Sequence, residues 1–507
     1  MDSVRVRFAP SPTGRMHIGN FRSALYNYLF ARKHGGVFFV RIEDTDRSRL
    51  VDNGVENILR TLASMGISYE EGPFLNEDGS VVQRGSMGPY VQSERLEIYR
   101  ARIEQLLENG DAYPCFCTPE RLDALRTEQE AMKKPTGYDR RCRTLSADET
   151  RSRIISGERH VVRAKMPDEG ETEFHDAVRG PVKFRHDLLD DYVLLKGDGY
   201  PTYHLANVID DHMMETTHVI RGEEWLSSTP KHLLLYKAFG WTPPQFAHMP
   251  LLLNPDRSKL SKRQGDVAVE DYLANGYLPE ALINFVALLG WNPSDEKEIY
   301  ELRELIDAFE LKDINSAGAV FNREKLDWLN GKYLRMMPIE RLAERAAPFL
   351  ERAGLVTKES DGWRVARGGE KLTIEDIGRI VSLERERVKT LAELPEAVSF
   401  LLEDVLEYPA ESLRWKGQPI GEALARLDAL LEVVGAMDEA DFTPKDAEER
   451  VKSLITGNGW GNGDTLWPLR VALSGREKSP GPFEIMSVLG KMKVIRRLEA
   501  AKNRLNA

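Results

Sequence analysis

Two short segments carry residue types suited to a nucleoside triphosphate. The first is Pro10-Ser11-Pro12-Thr13-Gly14-Arg15-Met16-His17-Ile18-Gly19-Asn20, set between a strand-like run and an apolar helical face. Glycine lets the backbone approach a ligand, a helix N-terminus favours phosphate, and a histidine there can donate to charge developing on phosphate oxygens. The second is Lys259-Leu260-Ser261-Lys262-Arg263, three cations in five residues. Such a loop suits closure over a triphosphate and neutralisation of a pyrophosphate leaving group. Taken singly, each has an ordinary reading: a Pro/Gly turn with a surface histidine, and a solvated charge run.

The elements that would position them read as a parallel α/β domain. Alternating Val4, Val6 and Phe8 give a strand, Phe21, Ala24, Leu25, Tyr28 and Leu29 follow helical spacing, and Val37-Phe38-Phe39-Val40 is a strand apolar on both sides. In such sheets ligands collect at the carboxyl ends of the strands. Residues 111–194 read as an α+β insertion, with a charged helix from Pro119 to Ala131 and a β segment around His160-Val161-Val162-Arg163. The parent fold resumes over 195–255, where Ser228-Thr229-Pro230 resembles a capped helix start and Met249 to Leu253 a strand. The fold class expected is therefore a Rossmann-like catalytic domain split between 1–110 and 195–255, interrupted by the insertion and followed by all-α C-terminal domains. These comprise 256–335, holding the lysine loop, and 336–507. Gly354 to Gly369 is polar and turn-rich, the pattern of a hinge between helical lobes.

Length, 507 residues, allows about three compact units. With 41% apolar and 30% charged residues the chain has a globular balance. A formal charge of −11 argues against non-specific coating of nucleic acid, which needs many uncompensated cations, but not against local basic patches. No run of about 18 apolar residues and no signal-peptide core is present, and the only cysteines are Cys115, Cys117 and Cys142. A reduced, cytoplasmic protein without a membrane anchor is expected.

Together the two loops, in this order and on these flanking elements, resemble the two signatures of class I aminoacyl-tRNA synthetases. Arg7-Phe8-Ala9-Pro10-Ser11-Pro12-Thr13-Gly14 ahead of His17 narrows the resemblance to the glutamate and glutamine branch. It continues through Arg41-Ile42-Glu43-Asp44-Thr45-Asp46, Gly199 to Asn207 and Arg221-Gly222-Glu223-Glu224-Trp225, and reaches Gly481-Pro482-Phe483-Glu484 near the C-terminus. Asn20, Leu260 and Arg263 depart from the commonest class signatures, and all three substitutions are similar to those of the glutamate branch. The resemblance implies a glutamate–tRNA ligase. Its substrates would be ATP with Mg2+, L-glutamate and tRNA(Glu), with tRNA(Gln) left open as a second acceptor, and a monomer is expected.

By that resemblance His17 and Lys262 are catalytic, and His17, Gly19, Lys259 and Lys262 bind ATP. Arg7 and Arg221 would face the glutamate side chain and Glu43 its ammonium, with Ala9, Ser11, Tyr203 and Asn207 completing the pocket. The plain alternatives are structural ion pairs for the arginines and a half-buried core aromatic for Tyr203. Arg221 favours glutamate over glutamine, because a neutral carboxamide gains little from a second guanidinium. The helical C-terminal third agrees, since glutaminyl enzymes of this branch typically carry β-barrels there.

Cys115, Cys117 and Cys142 are similar to the zinc-binding insertion of some glutamyl enzymes, but Thr144 stands where they place a fourth ligand. Tyr138 or His160 are the substitutes at hand, and three free thiols are the alternative to zinc. Arg385 and Arg387 fall in the stretch that resembles the anticodon-reading region, where a guanidinium can stack on or bond to an unstacked base. Lys491, Lys493, Arg496 and Arg497 of the final helix are candidates for phosphate contacts or a solvated face. A small-molecule nucleotidyltransferase would not need over 200 residues beyond the lysine loop. A non-catalytic tRNA scaffold would be expected to lose His17 or Lys262.

Overall fold

The computed structural model describes residues 3–260, 267–293, 297–439 and 442–506. The chain divides into two compact units, Met1–Leu273 with Pro279–Arg323, and Ala274–Leu278 with Glu324–Ala507.

The first unit is built on a parallel sheet. Strand β1 (Arg5–Phe8) pairs in parallel with β2 (Val37–Val40), and helix α1 (Ile18–Lys33) crosses between them. All four β1 residues are buried, Arg5 and Arg7 along with Val6 and Phe8, so both faces of the strand are covered. Strand His218–Gly222 lies beside β1, with Thr217 N–H donating to Arg5 O at 2.9 Å, and pairs in parallel with Gln245–Met249. Gln245–Met249 in turn pairs in parallel with Glu171–Asp176, which forms a hairpin with Gly180–Arg185. Two strands of the expected insertion therefore hydrogen-bond into the parent sheet. The remainder of that stretch holds helix Pro119–Ala131 and an antiparallel sheet of Ala112–Cys115, Val161–Ala164 and Val193–Leu195.

His17 caps α1 in extended conformation, its Nδ1 accepting from Gly19 N–H at 2.9 Å, while Arg32 and Lys33 complement the dipole at the far end. The loop before α1 is held against Gly54, where a Cβ would stand 2.6 Å from Pro12 O. Helix Thr229–Phe239 starts without the expected serine cap: a 3-10 helix, Glu223–Ser228, runs into it and leaves Ser228 in helical conformation.

The second unit is helical, with paired helices such as Ile420–Gly435 and Lys491–Asn506. The segment read as a hinge instead forms most of a three-stranded antiparallel sheet, Val356–Glu359, Gly362–Val365 and Lys371–Leu372. Its glycines serve turns; Gly362 has φ +146° and passes so close to Leu372 O that a Cβ would meet it at 2.6 Å.

Candidate active site

A cavity of about 470 Å³ opens at the carboxyl ends of β1 and of strand His218–Gly222. Arg7, Ala9, Ser11, Glu43, Tyr203, Asn207 and Arg221 all line it, so the structure brings together the whole set expected to hold the amino acid. Beside it lies a second hollow of about 300 Å³ with His17, Gly19, Leu252 and Lys259 in its wall. Asn20, Ser23, Gly222 and Glu224 belong to both walls.

Arg7 and Arg221 reach the cavity in different electrostatic states. Arg7 donates from Nε and Nη2 to the two oxygens of Asp211, at 3.0 and 3.1 Å. Asp211 also accepts from Arg41 at 2.8 Å, and Arg41 donates to Glu43 at 3.1 Å. Burial drives the Asp211 carboxyl upward, yet the Arg7 and Arg41 guanidiniums outweigh it and hold Asp211 below the ordinary carboxylate range. For Glu43 burial wins, and its carboxyl is raised despite Arg41 and Arg7.

Among the described residues Arg221, 6% exposed, is satisfied by neutral acceptors only: His248 Nε2 at 3.1 Å, Tyr203 Oη at 2.9 Å, Thr229 Oγ1 at 3.0 Å, and more distantly Trp225 O and His232 Nδ1, both at 3.4 Å. The histidines around it are held neutral. Burial, with Lys231 and Arg221, lowers His204 to about 4, and burial with Arg221 takes His232 well below the usual value. Tyr203 packs on Trp225 with centroids 4.1 Å apart. Asn207, 2% exposed, leaves its Nδ2 without a protein acceptor and faces the cavity.

At the second hollow, acceptance of the Gly19 N–H by His17 Nδ1 leaves the ring proton on Nε2, a donor suited to a phosphate oxygen. Lys262 lies outside the described residues; both flanks are described. Leu260 N–H bonds Leu252 O, and beyond 266 the chain zips onto the histidine loop through Ile18 N to Val267 O and Val269 N to Met16 O. The segment that follows the lysine loop, Val267 to Val269, is thus tied to the histidine loop by backbone hydrogen bonds.

Several site residues were not singled out from sequence: Asp211, which neutralises Arg7 and Arg41, His248 and His232 behind Arg221, and Gln92 and Asn27 in the wall; Arg41 and Trp225 lie in segments that carried the resemblance, without a role assigned to them. A local signal for Asp211 is the pair Asp210-Asp211, two buried carboxylates in a helix otherwise apolar at Leu205, Ala206, Val208 and Ile209.

Elsewhere, the sulfurs of Cys115, Cys117 and Cys142 lie within 4.8 Å of one another. The Tyr138 hydroxyl sits among them, 3.2 Å from Cys115 Sγ and 3.6 Å from Cys117 Sγ, and accepts from Cys142 N–H at 2.9 Å. Burial and the adjoining thiols raise Tyr138 strongly, so a protonated phenol takes the place of a fourth ligand; Thr144 is exposed. This donor set does not fit a closed four-ligand zinc site.

Of the expected RNA-facing cations, Arg387 stands 3.4 Å from the buried Glu384, and Arg385 is partly buried with its Nε lacking an acceptor. The final helix departs from expectation. Lys493 and Arg497 are buried, donating to Leu401 O and to the carbonyls of Leu473, Phe400 and Glu403, and Lys491 donates to Gly435 O and Met437 O. Of the four cations only Arg496 is exposed.

Comparison with known proteins places this geometry. Residues 3–328 match the family tRNA synthetases class I (E and Q), catalytic domain, and residues 341–502 match an anticodon binding domain. The chain belongs to the class I tRNA synthetases of the glutamate and glutamine type. It is 44% identical, over all of both chains, to a glutamate–tRNA ligase of Alkaliphilus metalliredigens. It is 45% identical to one of Dehalococcoides mccartyi, covering all of this chain and 99% of that one. A crystal structure of a glutamate tRNA ligase from Elizabethkingia meningosepticum, in complex with its amino acid, superposes with a TM-score of 0.87 at 37% identity, over 99% of this chain and 100% of that one. Of the two activities in this family, that of the chain is ATP-dependent glutamate–tRNA ligation. No helix among the described residues is long and apolar enough to cross a membrane.

Proposed function

We propose that the larger cavity binds L-glutamate and the adjoining hollow binds ATP, so that the glutamate carboxylate and the α-phosphate meet at the wall shared by Asn20, Ser23, Gly222 and Glu224. The observation that carries this is Arg221, a buried guanidinium with only neutral hydrogen-bond partners among the described residues, facing a cavity. A buried cation without a counter-ion is costly, and an acidic side chain supplies the missing charge where a carboxamide does not. Arg7 Nη1 adds a donor, Glu43 and the Tyr203 hydroxyl receive the ammonium, and Asn207 Nδ2 donates to a carboxylate. Ala9 and Ser11 complete the lining.

In the first step a carboxylate oxygen attacks the α-phosphorus and pyrophosphate leaves. In the second a ribose hydroxyl at the 3′ end of tRNA attacks the acyl carbon and AMP leaves. The protein's part is orientation and stabilisation of developing charge. His17 Nε2–H donates to phosphate oxygen, and Lys259 and Lys262 offset charge on the departing pyrophosphate. Among the described residues Glu224 is the one carboxylate in the wall of the hollow; it would hold Mg2+, which would screen the phosphate charge. The nucleic-acid substrate is tRNA(Glu), with Arg385 and Arg387 at its anticodon, and the enzyme acts as a cytoplasmic monomer.

The test is ATP-dependent charging of tRNA(Glu) and tRNA(Gln) transcripts with radiolabelled glutamate or glutamine. Glutamate on tRNA(Glu) is expected, with H17A, K262A and R221A impaired. Transfer of glutamine in place of glutamate, or full activity in all three variants, would overturn the assignment; the tRNA(Gln) arm reports the breadth of tRNA choice.

A further inference from the structure

Behind Arg221 runs a chain of two further buried groups that no contact with a substrate explains. Asp176 closes strand Glu171–Asp176, and His248 lies on the neighbouring strand Gln245–Met249; both side chains are wholly enclosed. Asp176 Oδ2 stands 2.6 Å from His248 Nδ1, and His248 Nε2 stands 3.1 Å from Arg221 Nε. Arg221 Nε–H is always a donor, so Nε2 must offer its lone pair and the imidazole proton must sit on Nδ1, facing the carboxylate. The other tautomer would set N–H against N–H at Arg221.

Asp176 is itself fixed. Its Oδ1 accepts three backbone N–H groups, from Val178 at 3.0 Å, Arg179 at 2.9 Å and His248 at 3.2 Å. With that oxygen committed, only Oδ2 is available to the ring. The carboxylate therefore leaves the imidazole a single arrangement, and the imidazole anchors the edge of the guanidinium. Its remaining donors are aligned by Tyr203 and Thr229.

We propose that Asp176 and His248 are positioning residues for Arg221, the carboxylate setting the imidazole tautomer and the tautomer setting the guanidinium orientation that receives the acidic side chain. The proposal rests on the assignment of Arg221 to glutamate. It identifies two residues that determine amino-acid specificity without touching the amino acid, one of them on the hairpin outside the split catalytic segments.

Asp176→Asn is the discriminating change, because it keeps the shape. The three N–H groups at Oδ1 oblige the amide oxygen to take that place, which turns the amide NH2 toward His248 Nδ1 and selects the wrong tautomer. In steady-state charging, D176N is expected to raise the glutamate KM about tenfold or more, the consequence of one buried donor left unpaired, with the ATP KM unchanged. His248→Gln can accept from Arg221 without reference to residue 176, so in that background D176N should add little. An unchanged glutamate KM in D176N, a parallel rise in the ATP KM, or an undiminished effect in the H248Q background overturns the proposal. Nitrogen-15 NMR of histidine-labelled wild type provides a check that needs no variant: Nδ1–H on His248 supports it and Nε2–H overturns it. R221A separates the two levels. If R221A leaves the glutamate KM unchanged, the pocket assignment fails and the proposal with it; if R221A is impaired and D176N is not, the proposal alone fails.

Discussion

Arg7 gives two of its N–H groups to the carboxylate of Asp211, whereas Arg221, across the same cavity, gives none to any carboxylate among the described residues. The two arginines thus divide the work: one extends a neutralised network and presents a spare donor, the other presents charge.

Removal of Arg221 should therefore weigh on acidic ligands in particular. R221A is expected to raise the glutamate KM about a hundredfold, as for loss of one half of a buried charge pair, and to narrow the preference for glutamate over glutamine in competition assays. R7A should leave that preference wider than R221A does.

Asp211 holds two guanidiniums, Arg7 and Arg41, in a place without solvent. Asp211→Ala leaves both without that partner, and a loss of about 3 kcal/mol is expected, read as an earlier transition in thermal or urea unfolding. An unmoved transition would show that neighbouring Asp210 and Glu43 take over the charge.

Acid should loosen the histidine cluster behind the pocket. Because His204 is lowered to about 4 by burial, Lys231 and Arg221, the folded state binds its proton less readily than the unfolded chain. Its contribution is complete above pH about 6.5 and is lost as pH falls toward 4. Thermal scans across that window should show the decline, and H204Q should flatten it; identical profiles would refute the link.

The last helix separates structural from RNA-facing cations. Arg497 bonds three carbonyls from two neighbouring segments, so R497A should lower the stability of the second unit by about 3 kcal/mol. The exposed Arg496 should tolerate alanine without such loss. Differential scanning calorimetry checks the contrast.

Metal analysis of protein purified without chelator should find well under one zinc per chain, because Tyr138 fills the fourth corner of the thiol cluster. Stoichiometric zinc, lost on mutation of Cys142, would reverse that conclusion.

The parallel start of the fold was legible because β2 is continuously apolar and α1 keeps helical spacing, and the histidine loop because a Pro/Gly-rich segment with a histidine falls between β1 and α1. What sequence could not give was depth. For Arg7 the sequence offers a ligand contact or an ion pair without naming the partner; Asp211 arrives from a remote segment, as Glu71 does for Arg5, and allows both arginines to be buried. The same holds at the C-terminus, where Lys493 and Arg497 look solvated until the carbonyls they serve are seen. The strands in 354–372 were hidden by turn residues that serve tight connections as readily as a hinge. Local pattern reports periodicity; it carries no record of a distant partner.

The hairpin of Glu171–Asp176 and Gly180–Arg185 has a bearing on how this architecture can be rebuilt. A segment that threads a carboxylate into its host's sheet is not a detachable accessory. A chimaera exchanging it for the equivalent stretch of a relative would carry a foreign group to the back of the amino-acid pocket, and transplantation should succeed only when the residues at 176 and 248 travel as a matched pair.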